Sequence, residues 1–157
     1  MAYILSERSL NNLKGVHPNL AKVVKRAVEV SDQDFLVIEG VRSREQCMIN
    51  YGKGRTAAQC AAKGIAAKYA NPKAAKVTWL SNPFNSKHCT QKDGYGHAVD
   101  ICPYPLDWSD VKKFDAIAKA MFAAARELGV KIRWGADWDG DGKPRERGES
   151  DSPHFEI

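Results

Sequence analysis

An α+β fold, with a small, mainly antiparallel sheet packed with helices, is predicted by three features of the chain. Segments of helical periodicity dominate the first half and recur once, at greatest length, in residues 109–128. Short runs rich in β-branched and aromatic residues, bounded by Gly and Pro, fall mostly in the second half. No internal repeat, linker or low-complexity segment divides the 157 residues. A single domain over 1–157 is therefore expected, long enough to bury a core without disulfides.

Taken in order, Ser6 can cap a short helix that stops at Gly15. Pro18 then opens a second helix, in which Leu20, Val23, Val24, Ala27 and Val28 recur at helical spacing. Phe35 to Ile38 reads as a buried strand, and Gly40 ends it just before a Ser43-capped helix through Tyr51, so Arg42 falls at a strand-to-helix junction. The Ala/Lys-rich stretch from Thr56 to Tyr69 is weakly patterned, and the region to Lys76 reads as an irregular excursion. Val77 to Leu80 and His97 to Ile101 are expected strands, and a turn at Pro103 and Pro105 follows. The longest helix, from about Ser109 to Leu128, presents Val111, Phe114, Ile117, Ala118, Met121, Phe122, Ala125 and Leu128 as an apolar face and stops at Gly129. Val130 to Trp134 and His154 to Ile157 complete the strands, with an Asp/Gly-rich loop between them.

Hydrophobic residues make up 43% and charged residues 27%, an ordinary soluble balance, and no segment approaches the ~20 apolar residues of a membrane span. No membrane insertion is expected. The opening MAYILSERSLNNLKG has neither a basic start with a long apolar run nor a small-residue cleavage site, so no secretory signal peptide is expected and synthesis ends in the cytosol. A formal charge of +5 and a pI near 9.0 favour approach to a polyanion, whether nucleic acid, anionic lipid or an acidic cell wall. Because Lys and Arg are dispersed and no nucleic-acid motif accompanies them, nucleic acid is not the expected partner. Cys47, Cys60, Cys89 and Cys102 form no C-x-x-C pair and read as free buried thiols.

Of the four histidines, His88 and His154 lie in contexts suited to a metal. A catalytic zinc site needs three His or carboxylate ligands and an open position, and His88, Asp100 and His154 supply that set. Asp151 stands three residues before His154 across a Pro-containing turn, close enough to serve a water at the site without being a ligand. His97 is the rival to His88 as first ligand, while His17 reads as a residue of a helix start. The run from Asp137 through Asp139 and Asp141 to Gly142 has the first half of an EF-hand calcium loop, with carboxylates at alternate positions and then a Gly. Its twelfth position is Gly148 rather than Glu, which leaves the remaining ligands to backbone, water, or Glu146 or Glu149. The alternative is a solvated acidic turn.

The combination Ser86-x-His88, Gly96-x-Ala98-x-Asp100 and Asp151-x-x-His154-Phe155-Glu156 resembles the zinc peptidase family of D-alanyl-D-alanine carboxypeptidases and phage L-alanyl-D-glutamate endopeptidases. Leu13 to Pro18 resembles the opening of the phage branch. Glu39-Gly40-Val41-Arg42-Ser43 with Gln46 resembles the family's arginine segment, and Trp134-Gly135-Ala136-Asp137-Trp138 its Trp-Gly-x-Asp-Trp turn. The resemblance implies that His88, Asp100 and His154 hold zinc, that Asp151 is the general base, and that Arg42 binds the substrate carbonyl or its oxyanion. Two departures stand out: the stretch Cys89 to Tyr95 is longer than in the family, so the ligand set requires it to loop out, and the acidic loop separates Trp138 from the final Asp-x-x-His.

What the resemblance implies is a single catalytic peptidase domain, 1–157, acting on bacterial peptidoglycan as a phage lysis enzyme, an endolysin that cuts stem peptide between L-Ala and D-Glu. A monomer made in the host cytoplasm and acting at the periplasm or wall after release is expected, and the EF-like acidic run adds, independently of the resemblance, an expectation of regulatory calcium at Asp137, Asp139 and Asp141. The alternatives are a D-Ala-D-Ala carboxypeptidase and a non-hydrolytic zinc-binding recognition module.

Overall fold

Local signals set the helix boundaries. Ser6 accepts a hydrogen bond from the Ser9 amide at the start of α1 (Glu7–Asn12), and Pro18 opens α2 (Pro18–Val30) behind His17. Ser43 caps α3 (Arg44–Gly52), and Thr56 forms a capping box with Gln59 on α4 (Ala57–Ala61). After a single 3-10 turn at Ala67–Tyr69 comes α5 (Val111–Leu128), capped by Asp110 and ended by left-handed Gly129. The computed structural model describes residues 2–157, and none of their helices is long and apolar enough to cross a membrane.

Strands β1 (Phe35–Glu39), β2 (Ala98–Pro103), β3 (Arg133–Trp134) and β4 (His154–Glu156) form one antiparallel sheet in the order β1-β2-β4-β3. Side-chain alternation divides its two faces. Val99, Ile101 and Phe155 join a core with Leu20 and Val24 of α2 and with Ile117 and Met121 of α5. Each such side chain contributes on the order of 2 kcal/mol on burial, so this face carries most of the stability. Asp100, His154 and Glu156 have the opposite parity and fall on the other face. The α+β architecture expected from the sequence is thus the one observed, and it leaves one sheet face for polar chemistry.

The structure departs from the sequence reading in several places. Val77 to Leu80 forms no strand and pairs with none of β1 to β4; Arg55 Nη2 donates to the Thr78 carbonyl at 2.8 Å and holds the run as a loop. The strand expected from Val130 shortens to Arg133–Trp134, while β2 continues to Pro103. Val111 and Leu128 are exposed at the two ends of α5, where the helix overhangs the core. Cys47 and Cys89 form a disulfide, and only Cys60 and Cys102 remain as the buried free thiols expected of all four. Spacing along the chain carried no sign of that pairing, since 42 residues separate the two cysteines.

The excursion after α3 builds a small core of its own from Tyr51, Cys60 and Ile65, with Met48 and Tyr69 against it. Arg55 organises it: the guanidinium stacks on the Tyr51 ring at 4.1 Å and Nη1 donates to the Tyr51 carbonyl at 2.8 Å. The segment becomes one wall of a cleft over the polar sheet face.

Candidate metal centre and active-site cleft

Sheet register brings two of the expected ligands together, since Asp100 on β2 is the cross-strand partner of His154 on β4. His88 arrives from the loop before β2, where the Arg42 amide donates to the His88 carbonyl at 2.8 Å. Asp100 Oδ1 lies 3.4 Å from both His88 Nε2 and His154 Nδ1, and one ligand atom from each of the three residues falls within 4.8 Å of the others.

Each imidazole is oriented by a hydrogen bond from its far nitrogen. His88 Nδ1–H donates to the Gly40 carbonyl at 2.8 Å, and His154 Nε2–H donates to Glu156 Oε1 at 2.8 Å. These bonds leave the lone pairs of His88 Nε2 and His154 Nδ1 aimed at Asp100, the arrangement typical of metal-ligating histidines. His88 Nε2 and Asp100 Oδ1 are buried with no hydrogen-bond partner, and His88 is only 2% exposed. Two such orphaned acceptors are costly unless a cation occupies the space between them. The residues present therefore fit zinc, by donor type, number and orientation.

The electrostatics follow from this crowding. Burial would raise the Asp100 carboxyl, but the flanking His154 and His88 override it and hold Asp100 well below the usual carboxylate range. Burial would lower His154, yet Asp100 and Glu156 outweigh it and push the imidazole up to about 9. Asp151, with Oδ2 3.9 Å from His154 Nδ1, is raised by burial, the charges of Asp100 and Glu156 adding to that against the pull of His154 and His88.

The position of Asp151 depends on Gly135. The Asp151 amide donates to the Gly135 carbonyl at 3.1 Å and the Gly135 amide to the His154 carbonyl at 2.8 Å; a Cβ on Gly135 would collide with the Asp151 backbone. Trp134 Nε1–H also donates to the Ser152 carbonyl at 2.7 Å. The Trp-Gly-x-Asp-Trp turn is thus a clamp on the Asp151–His154 turn, as Gly40, packed against the Asn12 carbonyl, is beneath His88. Arg42 lines the same cleft of about 350 Å³ as Asp151, Asp100, His88 and His154. Its Nε donates to Glu39 Oε1 at 2.8 Å and its Nη1 to Ser86 Oγ at 3.4 Å.

His97 stays outside this site. It precedes β2 with the parity of Val99, and its Nε2–H donates to Asp93 Oδ2 at 2.7 Å. The long stretch after His88 loops out: the Gln91 amide donates to the Tyr95 carbonyl and the His97 amide to the Lys87 carbonyl. The sequence alone indicated no role for Glu39, Ser86 or Glu156, although all three stand inside the motifs and Glu156 holds the alternating position beside His154.

Asp137, Asp139 and Asp141 converge, and Asp139 also meets Glu146 and Glu149. Glu149 is 5% and Asp137 8% exposed, and Glu149 Oε1 and Asp137 Oδ1 are buried without a hydrogen-bond partner. Glu149, the residue after Gly148, gathers with Asp139 and Glu146, and its Oε2 accepts from the Asp139 amide at 3.2 Å. Burial, with Asp139 and Asp141 alongside, pushes the Asp137 carboxyl up, and Asp141 does the same to Glu146.

The chain matches the family described as phage L-alanyl-D-glutamate peptidase over residues 1–70 and 60–157. It is 32% identical to the L-alanyl-D-glutamate peptidase of Escherichia phage T5, with 100% of this chain and 99% of that protein covered. The crystal structure of the Serratia marcescens L-Ala D-Glu endopeptidase superposes with a TM-score of 0.61 at 26% identity, covering 98% of this chain and 90% of the other.

Proposed function

The chain belongs to the phage L-alanyl-D-glutamate peptidase family, and we propose that it is a zinc-dependent endopeptidase, one catalytic domain that hydrolyses the L-Ala–D-Glu bond of peptidoglycan stem peptide as a phage lysis enzyme. The observation that carries the zinc reading is the pair of orphaned, buried acceptors on His88 and Asp100, completed by His154 and oriented by Gly40 and Glu156. Zinc held by His88 Nε2, Asp100 and His154 Nδ1 supplies Lewis acidity that polarises a carbonyl and acidifies water.

The chain's own groups do the rest. Asp151, partly exposed to the cleft, accepts the proton of the attacking water at its carboxylate and delivers it to the departing amine. Arg42, fixed by Glu39 and Ser86, offers a permanent positive charge to the oxyanion that develops on the scissile carbonyl.

The acidic loop is proposed to take calcium, supported by the buried, unpartnered oxygens of Asp137 and Glu149. Made in the host cytoplasm, the enzyme would meet both its wall substrate and higher calcium only after release. Mass spectrometry of fragments freed from purified peptidoglycan by zinc-loaded protein tests the assignment. New L-Ala carboxyl and D-Glu amino ends are expected. Release of free D-Ala would instead mark a carboxypeptidase, and no release a recognition module.

A further inference from the structure

We infer that Lys53 is a specificity-determining residue that binds the free α-carboxylate of the D-Glu residue on the leaving side of the scissile bond, an inference that rests on the peptidase reading above. Cys47, Asn50 and Lys53 recur every three residues along α3 and its C-cap, and all three line the cleft that holds Asp100, Asp151 and His154. Among the described residues lining that cleft, Arg42 and Lys53 are the only Arg or Lys. They differ in how their charge is engaged. Arg42 has Glu39 at 2.8 Å, whereas Lys53 has no carboxylate within ion-pairing distance among the described residues.

The Lys53 backbone is also fixed. The Gly54 amide donates to the Asn71 carbonyl at 2.8 Å, and the Asn71 amide donates to the Gly52 carbonyl at 2.9 Å. Gly52 itself packs on the Tyr69 carbonyl, leaving no room for a side chain there. A flexible stem on an anchored Cα thus carries an ammonium without a carboxylate partner on the wall of the cleft that holds the metal-ligand cluster. A solvated surface lysine would need no such anchoring.

The substrate supplies the matching anion. In stem peptide the D-Glu chain continues through its γ-carboxyl, so the α-carboxylate remains free on the carbon bonded to the scissile nitrogen. One anion develops at the carbonyl during reaction and one is permanent next to the amine, which corresponds to one cation already positioned by partners and one without any. In walls where that carboxylate is amidated, Lys53 would lose its partner, so this residue would set which peptidoglycan chemotype is cut.

Two synthetic stem peptides differing only at this group, D-Glu α-carboxylate against α-carboxamide, test the assignment through kcat/KM. A charge-assisted contact predicts that the wild type prefers the acid by about tenfold to a hundredfold. Lys53→Met should abolish the preference by slowing the acid peptide alone, with zinc content unchanged, and Lys53→Arg should keep it. Equal rates of the wild type on both peptides, or a Lys53→Met protein that slows both equally, would overturn the role of Lys53 while leaving the peptidase reading intact. A zinc-loaded wild type that cuts neither peptide would overturn both.

Discussion

Asp100 and His154 face each other across the β2–β4 ladder, with Asp100 Oδ1 3.4 Å from His154 Nδ1. Two ligands of the candidate zinc site are thereby set by sheet register, and the third comes from a loop. A one-residue slip of β4 would turn His154 into the core and bring Phe155 onto the polar face.

Zinc content tests that set. His88→Ala should reduce bound zinc from about one equivalent to near none, because two ligands rarely hold a catalytic zinc. His97→Ala should keep it, since His97 is occupied with Asp93. Metal analysis of both purified variants decides, and full zinc in His88→Ala would refute the assignment.

Asp151→Asn should retain zinc and lose about a hundredfold or more in kcat, because the amide cannot accept the water's proton. The same substitution should remove the acid limb of the wild-type rate profile, as the base works only when ionised. Arg42→Ala should also spare the metal and cost about a hundredfold through the oxyanion. Stopped assays with metal-quantified protein read all three effects.

His154 links stability to pH in the chelated protein. Its pKa is raised from 6.5 to about 9 by Asp100 and Glu156, so the contribution is complete below about pH 6.5 and is lost as pH rises through about 9. Zinc affinity moves the other way, climbing to about pH 9 as the His154 proton becomes easier to displace. Urea midpoints with and without chelator across this range should diverge; parallel curves would argue against the linkage.

Calcium should raise wall lysis by zinc-saturated enzyme, because ordering the acidic loop restrains the Asp151–His154 turn that follows it. Shifting the population requires tighter binding to the ordered loop, which buried Glu149 and Asp137 favour. Glu149→Gln should weaken calcium by about tenfold or more, and an Asp139→Ala/Asp141→Ala protein should not respond. A lysis rate that stays flat through the titration would end this proposal.

Reduction of Cys47–Cys89 should lower stability by about 3 kcal/mol, as the bond closes a long loop and ties α3 to the segment bearing His88. Thermal unfolding with and without a thiol reductant measures it, and Cys60→Ser should leave the difference unchanged.

The elements that place the site were legible where local physics governs them. Ser6, Ser43 and Gly129 marked helix ends, the alternation of His97 to Ile101 marked β2, and the separated His, Asp and Arg motifs marked residues that the fold brings together in one cleft. The tertiary structure decided what depends on neighbours far away in the chain. Val77 to Leu80 has strand-forming residues but is held as a loop by Arg55, Cys47 meets Cys89 only because α3 packs beside the His88 loop, and Glu149 joins Asp139 and Glu146 only once its loop closes. Periodicity and capping act over a few residues and are written in the sequence. Pairing, burial and the orientation of the two imidazoles by Gly40 and Glu156 arise when distant segments are brought together by the core beneath the sheet.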